Sequence, residues 1–170
     1  MGIFITTEIM FFTGLISAYL VIKKDRITWA LPNNIQLPVE TTALNTLALL
    51  ASGWLMFIAG KKMAMGDQAS TQSWVIKALL LGIVFVVIQG VEWVQLASYG
   101  LTMNNSIFGA LFFLIIGCHG LHVIAGLVVL LVTIRSLNRG QMKVSDFRAM
   151  QMFWFLVVGI WPLLYFLVYF

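Results

Sequence analysis

A chain of 170 residues that is 61% hydrophobic and only 9% charged is not an ordinary water-soluble domain, which carries about 25% charged residues. Its mean hydropathy of +1.00 points to an integral membrane protein. The net charge of +4 comes from Lys and Arg gathered between apolar runs, a juxtamembrane pattern that argues against nucleic-acid binding.

Five runs reach the roughly 20 residues that a membrane crossing needs: 3–22, 42–60, 74–98, 106–134 and 151–170. They predict an all-α integral membrane protein, a single domain over residues 1–170 formed by a bundle of five transmembrane helices. The first run has no basic residues ahead of it and contains Glu8, so it is expected to remain as a span and not as a cleaved signal. Lys61, Lys62, Arg135, Arg139, Lys143 and Arg148 fall on the same side as the N-terminus, against Lys23, Lys24 and Arg26 on the other. The positive-inside rule then places the N-terminus inside and the C-terminus outside.

In the first span, Glu8 follows Thr6 and Thr7 near the inner end, and Gly14 with Ala18 forms a small-xxx-small pair that predicts a packing face. A carboxyl at that depth calls for a donor or a cation; Thr6 and Thr7 are local candidates, and His119 or His122 a distant one. The connection 23–41 holds Pro32-Asn33-Asn34, a turn signal, and Pro38, suited to a helix start. Asn45 and Thr46 near the start of the second span read as interhelical hydrogen bonders.

In the third span, Gln89 and Glu92 lie one turn apart on one face and can share a polar network. The preceding residues 79–87 are almost wholly apolar, so a clamp between helices is a better reading than a substrate path. The connection to the fourth span is very short, which makes these two spans antiparallel neighbours. In the last span Pro162 interrupts the hydrogen-bond ladder and predicts a kink.

The fourth span carries both histidines, in Gly117-Cys118-His119-Gly120-Leu121-His122-Val123. Phe108, Phe112, Ile115, His119, His122 and Gly126 recur at helical spacing and form one stripe. Gly117 and Gly120 suggest the close approach of a neighbouring helix. Two histidines a turn apart on one helix cannot both ligate one haem, whose axial ligands come from opposite faces. A copper or zinc site from Cys118, His119 and His122 is chemically conceivable, but Cys118 sits about 100° around the helix from His119. The favoured reading is two neutral, buried imidazoles hydrogen-bonded to other spans. No catalytic residue and no metal ligand is assigned; Glu8, His119 and His122 are the candidate polar cluster, with a possible proton or lipid role. Asn45, Gln89 and Glu92 are the structural network.

At these residues the chain resembles subunit III of the haem-copper respiratory oxidases, the cytochrome c oxidase subunit III family. Four blocks carry the resemblance in family order: Phe4-Ile5-Thr6-Thr7-Glu8-Ile9-Met10-Phe11-Phe12 with Ala18-Tyr19, then Leu37-Pro38-Val39-Glu40 with Leu44-Asn45-Thr46. Next come Gln89 with Glu92-Trp93, and finally Phe108-Gly109 with Phe112-Phe113 and the histidine block. The resemblance implies a non-catalytic subunit packed on oxidase subunit I beside other respiratory subunits in a bacterial cytoplasmic (inner) membrane. It also implies no cofactor bound by this chain, haem and copper in partner subunits, and phospholipid as a possible companion. Glu8 resembles the family's membrane-buried carboxyl. The chain departs from seven-helix members in lacking two leading helices, and Trp154-Phe155-Leu156-Val157-Val158 lacks the His and Asp common there. Two other functions stay open on the residues alone: a subunit-III-like protein of a nitric oxide reductase system, and an independent proton or ion carrier.

Overall fold

The structure, a computed structural model, describes residues 2–24, 39–99 and 107–169. Its helices are α1 (Gly2–Lys23), α2 (Val39–Ala64), α3 (Gln68–Ser98), α4 (Ile107–Asn138) and α5 (Val144–Tyr169). All five are long and apolar enough to cross a membrane, and the described residues contain no strand. Pro32, Asn33, Asn34 and Pro38 lie outside the described residues.

The helices outrun the apolar segments that announce them. α2 continues through Lys61 and Lys62 to Ala64, and α5 begins at Val144 instead of at 151. Hydropathy marks the part of a helix that needs lipid, whereas Lys and Arg continue a helix readily and extend their stems to the headgroups. Lys61 and Lys77 illustrate this, their ammonium groups lying 4.5 Å and 4.2 Å from the ring centroids of Phe57 and Trp74. α5 stays helical through Pro162.

Two of the connections are short and sharply built. After α2, Gly66 at φ 77° donates to Met63 O, and Asp67 N donates to Lys62 O. After α4, Gly140 at φ 64° donates to Leu137 O, and Gln141 N to Ser136 O. Both are Schellman closures, which need a left-handed residue that glycine supplies without strain. Asp67 then caps α3, its Oδ1 accepting from Ser70 N at 3.0 Å. Hydrogen bonding from the Ser70 side chain, and after it from Ser70 N, holds the Asp67 carboxyl below the usual carboxylate range.

α2, α3, α4 and α5 form a ring in which each helix packs on two others, α2 closing against both α3 and α5. The centre holds large side chains: Trp154 and Trp161 of α5, Phe85 of α3, Met56 and Leu49 of α2, and Ile115 and Ile116 of α4. Trp154 fills the space made by two glycines. A Cβ on Gly126 would sit 2.8 Å from its ring, and one on Gly82 would sit 2.9 Å from it. Glycine is therefore required by volume at both positions.

α1 stands outside this ring, packed on α4. It buries only Phe12 and Tyr19, while Ile3, Ile9, Met10, Leu20 and Val21 remain exposed. No described residue of this chain packs on the expected face at Gly14 and Ala18. Both are exposed, and a Cβ on Gly14 would meet nothing within 4 Å. The face that α1 turns inward is set by Glu8, Phe12 and Tyr19 instead. Phe4 meets Phe153 of α5 at 5.8 Å between centroids, and Lys23 Nζ donates to Leu167 O at 3.4 Å.

Candidate functional site

The site is the junction where α1 meets α4. His122 lies on α4, and its Nδ1 stands 2.6 Å from Cys118 O, the carbonyl one turn back. Its Nε2 stands 2.8 Å from Glu8 Oε2 on α1. Both side chains are about one-fifth exposed, at 22% and 17%, so the contact sits at the edge of the bundle and not in its centre.

The carbonyl decides how many protons the junction carries. A carbonyl oxygen only accepts, so the bond to Cys118 O requires the proton on Nδ1 of His122. A neutral ring protonated at Nδ1 presents a bare Nε2, which needs a donor, and Glu8 supplies one only as the acid. An imidazolium instead donates from Nε2 to a carboxylate. Both arrangements hold the same number of protons, one fixed on Nδ1 and one between Nε2 and Oε2.

His119, expected in the same cluster, is placed differently. It is buried to 1% exposure, and neither ring nitrogen has a hydrogen-bond partner among the described residues. Its ring stacks on Trp161 at 4.9 Å and 26°, with Phe85 and Phe12 edge-on at 6.3 Å and 6.4 Å. Of two neutral, buried and hydrogen-bonded imidazoles, His122 shows the bond to another span but is only partly buried, whereas His119 is buried without such a bond and packs as an aromatic plate. The stripe Phe112, Ile115, His119 and Gly126 does face inward, but the helix turns enough by His122 to carry that residue toward α1. Thr6 and Thr7 do not serve Glu8. Their hydroxyls donate back to Gly2 O and Phe4 O. Gly117 and Gly120 admit a side chain instead of a helix backbone: Trp93 of α3 would lie 3.4 Å and 3.9 Å from a Cβ at each.

Asn45, Gln89 and Glu92 form a second, separate polar group between α2 and α3. Thr42 Oγ1 donates to Glu92 Oε2 at 2.9 Å, and Gln89 Nε2 reaches the same oxygen at 3.2 Å. One turn along, Asn45 Nδ2 donates to Phe85 O at 3.1 Å. Trp161 Nε1 donates to Thr46 Oγ1 at 2.9 Å, and Tyr165 Oη donates to Val39 O at 3.0 Å, which ties α5 to the start of α2. Thr42 and Trp161 were not singled out from sequence. Their signal was available in kind, since a Trp or Tyr in a span buries its ring comfortably only if its polar tip finds a partner. Among the described residues, no three His, Cys, Asp or Glu side chains converge as a metal set.

Five apolar helices with one edge junction and one internal clamp define a multi-pass membrane protein whose polar groups tie helices together. The family model described as cytochrome c oxidase subunit III matches residues 1–170. The chain belongs to that family. A protein of Mycobacterium leprae (strain TN), named probable cytochrome c oxidase subunit 3, is 28% identical over 172 residues, covering 99% of this chain and 84% of its own. The cytochrome c oxidase subunit 3 of Synechocystis sp. (strain ATCC 27184 / PCC 6803 / Kazusa) is 30% identical over 98% of this chain and 72% of its own. That of Pelomedusa subrufa is 34% identical over 99% and 67%.

Proposed function

We infer that this chain is a non-catalytic subunit of a respiratory haem-copper oxidase, packed on the catalytic subunit I and supporting sustained electron transfer to oxygen and proton translocation. The observation that carries this reading is the family match along all 170 residues. The relatives carry the oxidase name and give no support to the nitric oxide reductase or carrier alternatives. Haem and copper belong to the partner subunits in this reading, and phospholipid fills the remaining surface. The membrane is the bacterial cytoplasmic (inner) membrane, with the N-terminus inside as the Lys and Arg distribution favours.

The functional residues in this reading are Glu8 and His122, with His119 as the aromatic support behind them. A junction that places one proton between Nε2 and Oε2 suits a group that fixes α1 against α4 at the edge of the complex. The test is to tag the chain, isolate its complex from the membrane and record the spectrum and copper content. Haem and copper in fixed ratio to the chain are expected; a complex without haem-copper subunits refutes the reading. In that complex Glu8→Gln is expected to leave the initial rate of oxygen consumption unchanged and to hasten its decay over many turnovers. An unchanged time course removes Glu8 from the functional account.

A further inference from the structure

Three side chains of the clamp between α2 and α3 each keep one oxygen without a hydrogen-bond partner among the described residues: Asn45 Oδ1, Gln89 Oε1 and Glu92 Oε1. Asn45 and Glu92 are 2% exposed and Gln89 6%, so bulk water does not serve them. The other polar atom of each side chain is engaged, which fixes where the remaining oxygen stands. Phe85 O only accepts, so Asn45 must turn Nδ2 to it, at 3.1 Å, and Oδ1 away. Glu92 Oε2 accepts from Thr42 Oγ1 at 2.9 Å and from Gln89 Nε2 at 3.2 Å, which leaves Oε1 of both Glu92 and Gln89 over.

These anchors bracket one small region. Gln89 and Glu92 touch through their other atoms, so their remaining oxygens stand on either side of a single hydrogen bond. Phe85 O, which holds Asn45, is the carbonyl one turn before Gln89 on α3. Thr42, which holds Glu92, is one turn before Asn45 on α2. The region also lies near the end of the bundle. Thr42 is three residues from the start of α2 at Val39, and Glu92 six from the end of α3 at Ser98, about 5 Å and 9 Å along the axes.

Proton accounting identifies what fits there. Trp93 Nε1, an unpartnered donor next to Glu92 in sequence, is turned toward α4, where its ring meets Phe113. The group itself offers only oxygens. With Glu92 as a carboxylate, the three oxygens need three donors. With Glu92 as the acid, Oε2 already receives two donors, so the proton sits on Oε1 and needs an acceptor, while each amide oxygen needs a donor. One water molecule supplies that set, a lone pair and two O–H groups, and about three bonds are what a buried water makes. A metal cation would accept the oxygens but calls for about six ligands, twice the number this group has free.

We propose that α2 and α3 are joined by a buried water-binding site. Glu92, as the neutral acid, donates to the water, and the water donates to Gln89 Oε1 and Asn45 Oδ1. The site closes the clamp into a complete network and puts an exchangeable proton between two spans, apart from the Glu8 junction. It does not rest on the oxidase reading, since every group it uses belongs to this chain.

The test makes two measurements on the native complex. Cryo-electron microscopy at a resolution that shows ordered water is expected to find one peak about 2.6–3.2 Å from Glu92 Oε1, Gln89 Oε1 and Asn45 Oδ1. Glu92→Gln is expected to keep that peak, because its amide N–H replaces the acid O–H as donor to the water. In the infrared difference between wild type and Glu92→Gln, loss of an acid C=O band that shifts in D2O is expected. Absence of the peak, a direct contact of Glu92 Oε1 with an amide oxygen, or a peak with six oxygens at about 2.3–2.6 Å, the spacing of a metal cation, would overturn the proposal. So would loss of a carboxylate band in place of the acid band. Should Glu92→Gln fail to assemble, the wild-type peak and its distances decide alone.

Discussion

Removing Glu8 should loosen α1 by an amount the junction itself limits. α1 is held by Phe12 and Tyr19, a ring contact at Phe4, the Lys23 bond to Leu167 O and the 2.8 Å contact of Glu8 with His122. In lipid, apolar burial gives α1 no net reason to leave the bilayer for the bundle, so the polar contact takes a larger share of the association than it would in water. Interhelical hydrogen bonds in membranes couple by about 0.6 kcal/mol on average and reach about 1.7. The average is the better guide than the maximum, because in the unfolded-in-membrane state both groups also find other partners. A double-mutant cycle on Glu8→Ala and His122→Ala should therefore give a coupling of about 1 kcal/mol, a fivefold change in the equilibrium. The measurement is reversible unfolding of the purified chain in mixed micelles, titrated with sodium dodecyl sulfate and followed by Trp fluorescence. Glu8→Gln should preserve most of the coupling, since an amide N–H donates to a bare Nε2 as the acid does. A coupling within about 0.3 kcal/mol of zero, half the ~0.6 kcal/mol average for such bonds, would refute the reasoning and leave α1 held by packing alone.

Glycine positions should separate by volume, not by motif. Gly126→Ala places a Cβ against Trp154 and should destabilise by about 1–3 kcal/mol in the same micelle assay. Gly14→Ala, with open space around it, should be neutral or slightly stabilising. The Asp67 cap should show acid sensitivity: its carboxyl is held below the ordinary value, so its contribution is complete at neutral pH. That contribution is lost as pH falls through the depressed native value, and amide exchange at the start of α3 should rise there. Asp67→Asn should keep the cap and abolish the pH dependence, whereas Asp67→Ala should raise exchange at every pH.

The spans were legible because hydropathy reads the bilayer directly, and the lipid imposes a minimum apolar length on each helix. Helix ends were less so: Lys61, Lys62 and Ser145 are polar, yet they stay helical beyond the membrane. Within the site, spacing placed His119 and His122 on one stripe but left open which helix each would meet. One turn of α4 separates them, enough to put His119 against Trp161 at the centre and His122 against Glu8 at the rim. Gly14 and Ala18 misled for a related reason. A small-residue pair permits close packing, but a partner must also be present, and α1 turns Phe12 and Tyr19 inward instead.

The wide sequence separation of the junction governs how the protein is made. Glu8 and His122 are 114 residues apart, and translation at about 5–20 residues per second leaves roughly 6–23 s between their syntheses. Throughout that interval the first helix has entered the bilayer with an acid whose partner does not yet exist. Glu8 stands about a turn and a half from the start of α1, closer to one end of the helix than to its middle. Docking of α1 is therefore deferred until α4 has been inserted, which makes it a late event in biogenesis and leaves the first helix free to meet another membrane protein before its own bundle closes.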